Sequence, residues 1–537
     1  MKRYIWIIAV LLGGMLASCS TEEIKSQENA DPVNNVITLI AGAESNDTKA
    51  AISDALAFTW TAGDQIAIHT TAGYKNTSAL ASGGSKSATF TVDLGGGTRQ
   101  NYAIYPASAA VAGHATTGDL QVHYADTYTY NSNADFSPMV MIAKGNVPDA
   151  DLSFKHVGAL VRMTVNNIPP SATKVTFTFG YAVTGDFAVS NPDTETPTVS
   201  TTASASNNVV TFNLPAHAGV WWDNKVFNIP VPNGVTGSIT VAAYNGSTKI
   251  YEMSRPDLPA LIRAKGTKKI ASLPAFSVSG SKRVIIAPSN LQATTTDSWA
   301  NYSFSFMEYP YSTFETNGTN AISTDYADKN TVSLFGWGTS GWNNGGSGYG
   351  SKYLPYNTDG NQEDYGPVGV NNLTDTYAQG DWGVNAGSIG GFNTWRTPSY
   401  VEWQYLSQGR SGDCRWSCVE LSVSQNSMNG VFFFPDGWDT GLNGSNMISE
   451  AGKHSVNSDE YGRMIAAGAV FLPMAGTRSK RDIVDVNTYC YYWSSTGYNS
   501  ELAQMMTLHS NNNPAISFSG YLSRRGGACV RLIREIN

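Results

Sequence analysis

Charge is what this chain has least of. Lysine, arginine, aspartate and glutamate supply 14% of its 537 residues, where an ordinary soluble domain has about 25%. No basic run follows the N-terminus and the net charge is −8, which excludes the polyanionic backbone of a nucleic acid as partner. Long apolar runs are lacking too: after the N-terminal leader nothing approaches the roughly 18 consecutive apolar residues of a membrane-spanning helix. Histidine is scarce, with seven scattered residues. Neither a nucleophile elbow nor a His-Glu-x-x-His motif occurs, so no hydrolase signature can be read. Paired carboxylates for glycoside cleavage leave no local signature, because they often stand far apart in sequence. Glu402 and Asp436 fall where a helix start and a turn are expected.

What the chain has instead is 52 glycines with abundant Thr, Ser, Asn and Tyr. Its polarity comes from neutral side chains, and short apolar runs such as Val36 to Ala41, Gln65 to Thr70, Ala159 to Val165 and Ser238 to Tyr244 alternate with turn residues. That pattern predicts a mainly β chain. Its length exceeds one ordinary core, and three domains are expected. Between Asn393 and Arg534 only Tyr400 to Leu406 reads as a short helix. His156, flanked by strand residues with no second His or Cys close by, reads as structural, and Trp221-Trp222 reads as a packed corner. Ser277 to Lys282 is the natural boundary before the C-terminal part.

Lys2 and Arg3 precede an apolar run from Tyr4 to Leu16, too short to span a bilayer but suited to a signal-peptide core. Leu16-Ala17-Ser18-Cys19 resembles the lipobox of bacterial lipoproteins. The resemblance implies that residues 1–19 are a lipoprotein signal and that Cys19 is acylated, and several acyl chains on one residue anchor durably. Ser20-Thr21-Glu22-Glu23 is similar to the acidic tag that sends some such lipoproteins to the outer face of the outer membrane. Residues 20–35 are polar, lack aromatics and read as a tether.

Phe58-Thr59-Trp60-Thr61-Ala62-Gly63-Asp64-Gln65-Ile66 ends one strand, turns at Gly-Asp and opens the next. Together with Ala103-Ile104-Tyr105-Pro106, Ser137-Pro138-Met139 and Phe154-Lys155-His156-Val157-Gly158-Ala159-Leu160, it resembles the fimbrillin family, subunits of type V pili. That resemblance implies two transthyretin-like β-sandwiches, expected at residues 36–148 and 149–277. It further implies that a protease removes an N-terminal strand and leaves a groove for a strand of a pilus stalk subunit. Main-chain hydrogen bonds would give such strand addition its affinity, and alternate side chains its specificity. Val36-Ile37-Thr38-Leu39-Ile40 is the candidate displaced strand, and Lys49 stands where the family usually has an arginine cleavage site. A plain first strand of a stable sandwich is the alternative.

The order Trp395-Arg396-Thr397-Pro398, Glu402 to Leu406, Gly430 to Trp438, Ala469 to Arg478, Tyr492 to Thr496 and Arg525 to Ile533 resembles the C-type-lectin-like domains of bacterial surface proteins, the group related to formylglycine-generating enzymes. It implies an α+β C-type-lectin-like domain over residues 285–537. A pilin that ends in such a head cannot pass an end strand onward, so the position implied is a filament tip.

Nine of the 13 tryptophans follow Lys282, and aromatic faces stack on the apolar faces of sugars. Trp395, Trp403 and Trp493 lie within the fold motifs and are expected in the core, which leaves Trp337, Trp342 and Trp438 as ligand-binding candidates. Asp359-Gly360-Asn361-Gln362-Glu363-Asp364 offers oxygen ligands at alternating spacing but lacks the terminal Glu of a calcium loop, and reads as solvated. The Glu-Pro-Asn or Gln-Pro-Asp sugar motif of animal C-type lectins is absent.

Cys414, Cys418, Cys490 and Cys529 all lie in the head. In an exported protein they can form two disulfides in three connectivities, one of them Cys414–Cys418 with Cys490–Cys529. The spacing is not that of a zinc site. Formylglycine-generating enzymes bind copper through a cysteine pair, but Cys414 and Cys418 stand elsewhere relative to the motifs. No metal or cofactor is expected. The sequence thus predicts a binding protein, not an enzyme: an outer-membrane surface lipoprotein acting as a pilus tip adhesin for a glycan or protein receptor. The alternatives are a lipid-anchored glycan-capture protein outside any pilus, or an oxidase or hydrolase on the lectin-like fold.

Overall fold

The computed structural model describes residues 35–43 and 59–535, apart from 117, 134–138, 146–150, 202–205, 218, 297–301, 309–330, 343–364, 368, 391–393, 411–415, 424–425, 439–452, 480–481, 511–514 and 519. The chain is mainly β, as its neutral, turn-rich composition predicts. Among the described residues the first strands form a seven-stranded sheet. Val36–Ala43 lies inside it, antiparallel to Ser87–Asp93 and parallel to Asp151–His156. Alternation sets its faces: Leu39 and Ala41 are buried, while Val36 and Ile40 are exposed.

The chain then interlaces two sheets. Gln121–Tyr124 pairs with Gly185–Ser190, and Thr127–Thr129 joins Val209–Asn213 in parallel. Asp151–His156 returns to the first sheet beside Met141–Lys144. Strands on both sides of residue 148 therefore pair across it. Ala159–Asn166, between Lys225–Val231 and Gly266–Ser272, shares one core with Lys174–Phe179 and Gly237–Asn245. Phe177, Phe212 and Phe227 form its aromatic centre, with ring centroids 5.1–5.8 Å apart. Such offset and edge contacts add to the area they bury.

Residues from Phe276 onward fold around three further cores, one holding Trp403, Cys490 and Tyr492, the second Trp337, Trp382 and Trp395, the third Phe432, Phe434 and Phe471. The expected helix forms at Tyr400–Gln404 and winds on as a wider turn through Gly409. Ser399 and Glu402 close its first turn as a capping box. The sequence does not predict the single-turn helix Trp382–Asn385, nor the longer helix Ser458–Ala466. Asn457 and Glu460 cap it in the same reciprocal way, and Tyr461, Met464 and Ile465 supply an apolar face that packs on Phe432 and Phe471. Its nine residues carry Gly462, and such a short, glycine-broken period is easily read as loop.

Candidate functional site

Two inserted strands and the junction between the second core and the C-terminal part stand out. The first is Val36–Ala43. Its neighbour Trp60 is fully buried, with near-perpendicular rings of Phe90, Tyr105 and Phe154 at 5.0, 5.1 and 5.7 Å. The Trp60 indole N–H donates to the Ala41 carbonyl at 3.0 Å. Removing the strand strips that donor of its acceptor, a penalty of about 1–3 kcal/mol. It also empties the site of Leu39, whose burial is worth roughly 1.5–3 kcal/mol. The emptied slot would favour any incoming strand with apolar residues at the same alternate positions.

The second inserted strand is Ile533–Glu535, paired on one side with Arg283–Ile286 and on the other with Trp395–Arg396. Glu535 accepts from Lys282 at 2.5 Å and from Arg396 Nε at 2.9 Å. Arg396 forks onto Glu402 at 2.5 and 2.7 Å. Burial pushes the Glu402 and Glu535 carboxyls up, but their arginine and lysine partners outweigh it and hold both below the ordinary range. Just before the strand, fully buried Arg531 donates to Asn290 Oδ1, the Ala287 carbonyl and the Phe471 carbonyl at 2.7–2.9 Å.

The junction is polar at its centre and aromatic at its edge. Arg283 forks onto Asp223 at 2.7 and 2.8 Å and donates to Asn167 Oδ1 at 2.6 Å. Asn167 Nδ2 in turn donates to the Asp436 carbonyl at 2.7 Å. The Asp436 carboxylate accepts from the Ser277 N–H at 2.9 Å and from Arg410 at 3.3 Å, so it does hold a turn, and one at the seam. Ser272 Oγ donates to the Gly437 carbonyl at 2.5 Å. Gly437 has φ +71°, and a Cβ there would come within 3.0 Å of the Asn166 amide. Only glycine lets the backbone close on that amide unstrained.

The residues singled out from sequence do not converge. Trp337 is fully buried, its N–H given to the Ser494 carbonyl at 2.8 Å and its ring under the Arg524 guanidinium at 4.6 Å. It belongs to the core and offers no face to a ligand. Trp438 is half-buried, meets Phe434 at 4.8 Å with the rings tilted by 32°, and packs against two cores, one on each side of the junction. It wedges the seam and is no open shelf. Trp342 is half-buried, with Tyr377 at its edge 6.3 Å away.

Cys418, Cys490 and Cys529 are buried thiols of one core, with the Cys490 and Cys529 sulfurs 3.5 Å apart. Burial pushes the Cys418 thiol up to about 12, which leaves it inert as a nucleophile. Cys19, Lys49, Cys414 and the Asp359–Asp364 loop lie outside the described residues. His156 is buried in its strand. Trp222 is covered by the His217 ring at 4.0 Å on stacking geometry and approached by Lys225 at 4.7 Å, a packed corner. Arg283 was missed by sequence reasoning. Its only signal is a cation at the mouth of the apolar run Val284-Ile285-Ile286.

Among the described residues no three His, Cys, Asp or Glu side chains converge as metal ligands, and no helix is long and apolar enough to cross a membrane. No protein-family model and no curated protein matches the chain. Solved structures with local likeness include a candidate cell adhesion protein from Bacteroides uniformis, at 14% identity and TM-score 0.26 over 45% of this chain and 94% of that one. Another, from Bacteroides ovatus, matches at 14% identity and TM-score 0.26 over 44% and 91%. A fimbrial protein from Bacteroides ovatus matches at 10% identity and TM-score 0.18 over 93% and 99%. At TM-scores this low the likeness itself decides nothing, and the functional reading rests on this chain's own strands and side chains.

Proposed function

We propose that this chain is a surface-exposed fimbrial adhesin that accepts a strand but does not donate one. In this reading a stalk subunit's strand takes the place of Val36–Ala43 after cleavage near Lys49, and the C-terminal part, a C-type-lectin-like head, binds a receptor. Binding, not catalysis, is the activity. The observation that carries the proposal is the contrast in how the two inserted strands are held. Ile533–Glu535 is laddered on both sides and tied by Lys282 and Arg396, so it is not available to a neighbour. Val36–Ala43 has no charged side chain and is held by its ladder and alternate apolar residues, which another strand can reproduce. Acylation of Cys19 would hold the precursor at the outer membrane until cleavage.

Immunogold labelling of filaments from cells expressing an epitope-tagged chain tests the proposal. Gold at filament ends only is expected, and gold along the shaft would overturn it. A second reading, a lipid-anchored receptor-binding protein outside any pilus, is favoured by the Trp60–Ala41 hydrogen bond, which makes the intact first sheet self-sufficient. Mass spectrometry of the N-terminus of surface material separates the two, since that reading retains residues 36–49.

A further inference from the structure

Among the described residues of the C-terminal part most large aromatic rings turn inward, but Tyr498 and Tyr521 are exposed. Tyr498 and Tyr521 keep 47% and 50% of their surface in water and stack on each other, centroids 4.5 Å apart and planes 9° from parallel. Tyr498 stands on the turn that joins strands Tyr489–Gly497 and Leu502–His509, and Tyr521 opens the strand Tyr521–Ser523 paired beside them. A pair recruited for packing alone hides its outer faces, as Trp395 and Phe306 do against their neighbours. Here each ring has one face on its mate and leaves much of its remaining surface to solvent.

The pair rests on a rigid floor. Arg524 is 1% exposed and donates to the carbonyls of Pro367 at 2.6 Å, Gly369 at 2.7 Å and Asn499 at 2.5 Å. One buried guanidinium therefore braces the loop before Asn371 and the turn that bears Tyr498, and its own plane lies over buried Trp337. The Gly497 N–H donates to Asn372 Oδ1 at 3.0 Å, and a Cβ on Gly497 would meet the Asn371 carbonyl at 2.7 Å. That close approach sets exposed Asn371 and Asn372 against Gly497, the residue before Tyr498. Fixing loops in advance lowers the entropy a ligand must overcome.

We infer that the Tyr498–Tyr521 pair, with Asn371 and Asn372 beside it, is the contact for a neutral pyranose ring. This deepens the receptor-binding part of the proposed function and rests on it. The outer ring faces suit the apolar C–H face of a sugar, and the asparagine amides suit its hydroxyls. Glu501 and Arg525, both exposed and of opposite sign, leave no net field to select an ionic ligand. Of the tryptophans that the sequence favours, Trp337 lies beneath this surface under Arg524 and Trp438 lies at the seam.

Isothermal titration of the full chain with lactose, cellobiose, chitobiose and mannobiose tests the inference. At least one disaccharide is expected to bind, and Tyr498→Ala and Tyr521→Ala to weaken it roughly tenfold each, as loss of one aromatic contact does. Tyr498→Phe, which keeps the stack, is expected to bind within about threefold of the parent. Thermal melts of all three variants show whether a loss accompanies unfolding. Alanine variants that melt like the parent and bind like it would overturn the site, as would a Phe variant as weak as the Ala one. A parent chain that binds none of the four overturns the sugar assignment itself. Gold labelling at filament ends is independent of each of these results, so the tip reading stands or falls separately.

Discussion

The first and last described strands are both inserted between two neighbours, yet they are fastened by different physics. Val36 to Gly42 pairs with Ser87–Asp93, while only Ile40 to Ala43 pairs with Asp151–His156. Ile533–Glu535 is much shorter, but two of its three residues are charged and reach Lys282, Arg396 and the Ile250 carbonyl. Main-chain ladders are indifferent to sequence, so a strand held by them can be replaced by any other with the right alternation. Ion pairs and buried guanidinium contacts are specific to the side chains that make them. A strand fastened that way is part of its own fold and of no other.

The largest effect that would sharpen the contrast is expected at Trp60. Trp60→Ala removes the centre of the first core and should cost about 3–5 kcal/mol in chemical denaturation. It should also abolish capture of a fluorescent peptide spanning residues 34–45 by chain cleaved at residue 49. Capture that survives would mean that the slot around Ala41 does not select its strand. Next comes Arg283→Ala, which leaves Asp223 and Asn167 without their shared partner and should cost about 3 kcal/mol. Burial pushes Asp223 up, but Arg283 and the Asn167 N–H outweigh it and hold its carboxyl low. A calorimetric scan should then split, with residues beyond the seam melting apart from the second core. One unchanged transition would show that the Arg283 contacts do not couple the two sides.

How much of this was legible beforehand follows from range. The mainly β class could be read because alternation and turn residues are local, and the helix at Tyr400 because Ser399 and Glu402 announce it three residues apart. Trp337 misled because Gly336, Gly338 and Gly341 look like an open loop. Its burial depends on Ser494 and Arg524, more than a hundred residues away. Trp438 misled for the same reason, since one core it packs against belongs to strands more than 160 residues earlier in the chain. The exchange of Gln121–Tyr124 and Asp151–His156 between sheets has no local signal at all, because either strand would satisfy alternation in either place.

A smaller effect concerns the neighbour of the last strand. Asp381 accepts from the Gly383 N–H at 2.9 Å and the Thr397 N–H at 2.8 Å, and so ties the cap of the short helix Trp382–Asn385 to the strand Trp395–Arg396. Full burial nevertheless raises its carboxyl from 3.8 to about 6. A folded-state value above the unfolded one means that the native protein takes up a proton between 3.8 and about 6, so this group's contribution is greatest below that window and is lost as pH rises through it. Glu402 and Glu535, held low, act in the opposite sense and lose their contribution as pH falls. Asp381→Asn, which cannot ionise, should therefore gain on the parent by on the order of 1–2 kcal/mol between pH 4 and pH 7. A difference between the two melting curves that stays flat over that range would show that the buried carboxyl does not titrate there.

The smallest effect is expected at Lys282, and it asks whether the last strand is fastened from outside or from within. The Lys282 ammonium is 2.5 Å from Glu535, but its side chain is 44% exposed. Solvent screens such a pair, and it contributes about 0.5 kcal/mol or less. Arg396 holds the same carboxylate from the buried side and is itself held by Glu402. Lys282→Ala should thus shift the melting temperature by no more than about 2 °C, with a loss that fades in 1 M salt as the surface pair is screened. Arg396→Ala should cost several times more and keep its effect in salt. If the two variants were equally mild, the ladder alone would be holding Ile533–Glu535, and the last strand would be as exchangeable as the first.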